Sequence, residues 1–122
     1  MKHLFLFLAI VCMLAGCTSP NKANPLIKEY LTETISHPET YKPIKTSVVA
    51  KGKIDVASTE YWKHIPANGV IDVVIVRHEF THDNRSNIVI DNAYYFYMSP
   101  NYDVLYYAHR AWDGEPPKYE LQ

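Results

Sequence analysis

The stretch Val70-Ile71-Asp72-Val73-Val74-Ile75-Val76-Arg77-His78-Glu79-Phe80-Thr81-His82 decides the fold, because it admits two incompatible readings. Its last five residues spell H-E-x-x-H. On a helix, side chains four apart lie about 6 Å from one another at Cβ, so two imidazoles converge on one zinc while the glutamate activates water. Its first seven residues point the other way: all but Asp72 are Val or Ile, which are stiff in a helix and pack well on a pleated surface. In an extended chain, residues four apart are separated by roughly 13 Å, beyond the reach of two zinc–nitrogen bonds of about 2.1 Å. Charged Arg77 precedes the first histidine, and the turn formers Asp83-Asn84-Arg85-Ser86-Asn87 follow the second. A third ligand is also missing. Glu115 and Glu120 sit in a Pro-rich tail, while Asp91 and His109 fall inside or beside strand patterns. The stretch is therefore expected to be a strand, with the motif a coincidence of composition. The competing expectation is a small zinc metallopeptidase with His78 and His82 as ligands and Glu79 as base.

Working outward, Ile88 to Met98 (IVIDNAYYFYM) alternates Ile88, Ile90, Tyr94, Phe96 and Met98 on one face. Tyr95 and Tyr97 then share the other face, where Tyr107 is expected to join them as a binding platform or as buried packing. Ser99-Pro100-Asn101 is turn chemistry, and Val104 to Ala108 makes a last strand. Upstream, residues 44–57 (IKTSVVAKGKIDVA) form a β-branched run broken by Gly52. Tyr61 and Trp62, in the connection before the longest strand, are candidate exposed aromatics. Before these comes a helix. Pro25 suits its first turn and Asn24 its N-cap; Leu26, Ile27, Tyr30, Leu31 and Ile35 recur at helical spacing, and Pro38 ends it near Ser36 or His37. The expected fold class is α+β, with one N-terminal helix packed on an antiparallel meander of about four strands.

Composition narrows function by exclusion. Twelve Lys and Arg against 13 Asp and Glu in 122 residues leave a formal charge of −1, which gives a nucleic-acid binder no basic excess. The isolated glycines Gly52, Gly69 and Gly114 form no phosphate loop, and no nucleophile elbow is present. No catalytic, cofactor-binding or metal-ligating residue is expected, and no cofactor.

The N-terminus carries the sharpest signal. After Met1-Lys2-His3, an apolar run of 11 residues (Leu4 to Leu14) is too short to span a bilayer and fits the core of a secretory signal. It ends in Leu14-Ala15-Gly16-Cys17, which resembles a bacterial lipobox. The resemblance implies cleavage before Cys17, lipidation of Cys17 and stable anchoring through two or three acyl chains. It assigns residues 1–16 to a lipoprotein signal peptide, 17–24 to a polar tether, 25–112 to the α+β domain and 113–122 to a loose C-terminal tail. Of the two cysteines, Cys12 leaves with the signal and Cys17 is blocked, so no disulfide forms. Thr18 is not the acidic residue associated with inner-membrane retention. This favours the outer membrane facing the periplasm, with the inner membrane as the alternative.

The remainder is similar in layout to small lipoproteins of Bacteroidetes. The resemblance is carried by His37-Pro38-Glu39-Thr40-Tyr41-Lys42-Pro43-Ile44, by His78 to Asn87 and by the aromatic strand after it, although Arg85-Ser86-Asn87 lacks the glycine usual in that hairpin. It implies a location and no activity. The functional expectation is a non-enzymatic interaction module of the cell envelope, anchored through Cys17, with an envelope protein or peptide as partner. An inhibitor or immunity-type lipoprotein is a further alternative to the peptidase.

Overall fold

The computed structural model describes residues 19–122. The expected signal peptide, the lipobox with Cys17, and Thr18 lie outside the described residues. A 3-10 turn (Pro20–Ala23) runs directly into helix α1 (Asn24–Thr34), and a second (Pro38–Thr40) leads to strand β1 (Lys42–Asp55). Strands β2 (Val70–Asp83), β3 (Val89–Met98) and β4 (Leu105–Arg110) follow. All neighbours pair antiparallel in the order β1-β2-β3-β4, so the class is α+β and the sheet is a meander.

The decisive stretch is extended throughout. Strand β2 pairs on both sides: His78 stands opposite Thr46 of β1 and Tyr94 of β3. The following turn is built by Asn84, whose Oδ1 accepts from the backbone N–H groups of Ser86 and Ile88. Asn87 occupies the left-handed region at φ 62°, which asparagine tolerates better than most residues.

Alternation along β2 and β3 sorts the apolar side chains into two buried clusters. Even-numbered Val74, Val76, Phe80, Phe96 and Met98 share one cluster with Ala23, Ile27 and Leu31 of the N-terminal segment. Odd-numbered Val73, Ile75, Tyr95 and Tyr97 share the other with Ile54 and Trp62. Buried tyrosines with satisfied hydroxyls supply much of this second cluster, each bringing a large apolar payload.

Four local expectations need correction. Asn24 is not the N-cap: the preceding 3-10 turn takes that place, and the Asn24 Oδ1 accepts from Thr46 Oγ1 at 3.0 Å. The distal end of the expected tether is structured, since Ala23 is fully buried. Helix α1 ends at Thr34, two residues early, because Ile35 is extended at φ −89°, ψ 158°. Gly52 does not break β1; the register shifts lie instead between Pro43 and Lys45 and between Val48 and Ala50.

What Gly52 does is admit residues 113–122, which are not loose. The Gln122 backbone exchanges both hydrogen bonds with Lys53, at 3.2 and 2.8 Å, and Tyr119 and Leu121 pack on the odd-face cluster. A Cβ at position 52 would meet the Gln122 carbonyl oxygen at 2.5 Å and the Leu121 Cβ at 2.9 Å. Gly52→Ala is therefore expected to displace this segment, at a cost of about 1–3 kcal/mol. Faster amide exchange at Lys53 and Gln122 is the expected signature, and unchanged protection there would count against this role.

Candidate functional site

The histidines of the H-E-x-x-H sequence share the even face of β2 but not a coordination sphere. The Phe80 ring stands between them, 5.7 Å from the His78 ring and 5.6 Å from that of His82. Glu79 projects from the opposite face, where Arg77 pairs with it at 3.2 Å. Among the described residues, no group of three His, Cys, Asp or Glu side chains is gathered closely enough to hold a metal ion.

Each imidazole instead serves a local bonding pattern. His78 is fully buried, with Nδ1 2.8 Å from Thr46 Oγ1 and Nε2 2.7 Å from Tyr41 Oη. Thr46 has one hydroxyl proton and gives it to Asn24 Oδ1. The imidazole must then donate from Nδ1, and in the neutral form its Nε2 accepts from the Tyr41 hydroxyl. Burial lowers the His78 pKa to about 4, against a smaller opposing effect of the Glu79 carboxylate.

The odd face repeats the pairing. The Tyr97 hydroxyl lies 2.9 Å from His109 Nε2, and His109 Nδ1 lies 3.1 Å from the Arg110 carbonyl oxygen. Burial, ahead of smaller effects, lowers the His109 pKa and pushes that of Tyr97 up to about 12. Tyr95 and Tyr97 are buried, so they form core and not an open platform. Trp62, a candidate exposed aromatic, is also buried; it stacks nearly parallel to Tyr106 and Tyr107 and meets Tyr119 edge-on. Tyr61 alone of that pair is open, 76% exposed on a left-handed backbone at φ 74°.

Among the described residues, two concavities stand out. The larger, about 590 Å³, runs between α1 and β4. Glu29, Tyr30 and Glu33 line its helical wall and Leu105, Tyr106 and Ala108 its strand wall, with Tyr61, Lys63 and Asp103 at its margins. β4 is an edge strand, and its Tyr106 carbonyl accepts from the Lys63 N–H at 2.9 Å. The smaller, about 390 Å³, lies beyond the C-terminal end of α1 and is lined by His82, Arg85 and Arg110 among others. His82 Nδ1 donates to the carbonyl oxygens of Ser36 and Asp83, at 3.0 and 2.9 Å, while its buried Nε2 has no hydrogen-bond partner. A buried nitrogen left in that condition costs on the order of 1–3 kcal/mol.

No protein-family model, curated protein or solved structure matches this chain. Its own residues carry the functional argument.

Both concavities escaped the sequence reading, since each joins elements distant along the chain. The strand reading of residues 70–82 already set His78 and His82 roughly 13 Å apart. The Tyr41–His78 and Tyr97–His109 pairs follow only from cross-strand and loop geometry.

Proposed function

We propose that this chain is a lipid-anchored protein of the cell envelope, held through Cys17, whose α+β domain binds a protein or peptide partner and performs no chemistry of its own. In this reading α1 lies packed across the even face of the sheet, leaving the groove beside β4 as the docking surface. The observation that carries it is the composition of that groove, which combines an edge strand, an exposed Tyr61 and the acidic side chains Glu29, Glu33 and Asp103. Beyond the Tyr106 carbonyl, which the Lys63 N–H already occupies, the edge of β4 offers backbone donors and acceptors to an added strand, and aromatic side chains give such contacts area at low entropic cost. The carboxylates favour a segment rich in Lys or Arg. The lipobox sequence and its basic, apolar lead support the anchor and the outer-membrane location.

A photo-reactive residue at position 61 tests the groove in cells. Cross-linking is expected to yield a discrete adduct that disappears when Glu29 and Glu33 are both changed to Lys. An adduct pattern indifferent to that reversal of charge would sink the assignment. In the same strain, Cys17→Ser is expected to abolish palmitate labelling and release the chain from membranes. Retention of the label would remove the anchor from the proposal.

A further inference from the structure

We propose that the smaller cleft, at the C-terminal end of α1, binds a phosphate monoester group, with Arg85 and Arg110 supplying charge and His82 the orienting contact. This site is separate from the groove beside β4 and stands independently of it.

The charge distribution comes first. Arg85 and Arg110 both line the cleft, and no residue lining it is acidic. The ion pairs among the described residues use other cations: His37, Lys53 and Arg77. The Arg110 guanidinium rests 4.1 Å from the centre of a Trp112 ring. Of the carboxylates near these residues in sequence, Asp83 and Asp91 occupy odd positions of β2 and β3, so alternation sets them on the opposite face of the sheet. Glu33 lines the groove beside β4, and Asp113 lines neither concavity. The end of α1 contributes about half a negative charge, which two guanidinium charges exceed. The other polar side chains lining the cleft include Ser36, Asn84 and Asn92, each with a donor to offer an oxyanion.

His82 distinguishes phosphate from other anions. The residue is only 5% exposed, and its ring is fixed by the two carbonyl oxygens that its Nδ1–H serves. The proton is committed to Nδ1, so in the neutral ring the partnerless Nε2, buried in the cleft wall, holds a lone pair. At pH 6 a carboxylate or sulfate brings almost no proton for that lone pair, whereas a phosphate monoester, whose second proton leaves at a pKa near 6, is about half monoanion and does. The monoanion's P–O–H then donates to Nε2. The remaining oxygens face the guanidiniums, whose planar forks suit paired phosphate oxygens.

Free phosphate and the headgroup of a monoester lipid share this chemistry, so the test carries an arm for each. Full-length chain in maltoside detergent is titrated at pH 6 with inorganic phosphate, with dihexanoyl phosphatidic acid and with sulfate, following the imidazole nitrogen resonances of His82. Both phosphate probes, or either one alone, are expected to move the Nε2 resonance towards its hydrogen-bonded position. Response to the lipid alone assigns a headgroup, and response to inorganic phosphate assigns the free or soluble ester. Arg85→Gln and Arg110→Gln, at exposed positions, are each expected to weaken binding about tenfold without altering the fold seen by circular dichroism. His82→Phe is expected to level phosphate with sulfate. Absence of response to both phosphate probes, sulfate binding as tight as phosphate in the unaltered chain, or affinity untouched by the arginine changes would each overturn the proposal.

Discussion

Lowering the pH from 6.5 to 4 is expected to remove about 3 kcal/mol of folding stability through His78 alone. The unfolded chain presents an ordinary imidazole, which takes up a proton as the pH falls through 6.5. In the folded chain burial holds the pKa of His78 near 4, so across the interval between these values the unfolded state binds the extra proton and is favoured. The stability is whole above pH 6.5 and is lost as the pH falls, at up to about 1.4 kcal/mol per pH unit. Bonding geometry gives the same sign. The Nε2 lone pair accepts from the Tyr41 hydroxyl, and protonation would reverse that bond and leave the Tyr41 proton to find another acceptor. His109, lowered by burial on the other face, acts in the same direction. Urea unfolding at a series of pH values measures the slope, and His78→Gln is expected to flatten it by most of one proton. A slope that the variant leaves unchanged, or stability that rises on acidification, would refute the assignment.

The sheet was legible because β2 states its conformation twice over. Val and Ile from Val70 to Val76 favour an extended chain, and the apolar alternation continues through Phe80. Helix α1 was legible from its spacing, but its ends were not. Asn24 has the chemistry of an N-cap, yet Thr46, 22 residues away, claims its side-chain oxygen, a contact that no local pattern encodes. Residues 113–122 looked loose because Pro116 and Pro117 interrupt any regular element. Their order comes from the missing Cβ of Gly52 and from Tyr119, which inserts between Tyr97, Tyr107 and Trp62.

The candidate sites were less legible for a related reason. A catalytic motif compresses its signal into a few neighbouring residues, and the one such signal here, His78 to His82, is spent on packing. The groove and the cleft draw their residues from α1, the β2–β3 turn and β4, so their charges converge only after the meander forms. Arg85 reads in sequence as a turn residue, and Arg110 falls two residues beyond the last expected strand. Only the pairing of Tyr94 with Arg110 and of His82 with Ile90 brings the second arginine towards the face that holds the imidazole.

Phe80→Ala is expected to cost about 3–5 kcal/mol, a large share of the roughly 5–15 kcal/mol by which a domain of this kind is stable. The Phe80 ring is fully buried and lies within 5.6–5.9 Å of the rings of Tyr41, His78, His82 and Tyr94. Strand β2 lies between β1 and β3 in the sheet, so neighbouring backbone has little freedom to close over the hole. Tm should fall by roughly 15–30 °C, whereas Tyr61→Ala, at an exposed position, should move stability by no more than about 0.5 kcal/mol. The same variant interrogates the zinc reading. Removing the ring leaves the two imidazoles facing each other across open space, but the extended backbone still holds residues 78 and 82 roughly 13 Å apart. An ion that binds only the folded state raises Tm by mass action. Zinc at excess is therefore expected to leave Tm unchanged in both the original chain and Phe80→Ala. A zinc-dependent rise that His78→Gln abolishes would show the two histidines sharing an ion and make hydrolysis the better account of the motif.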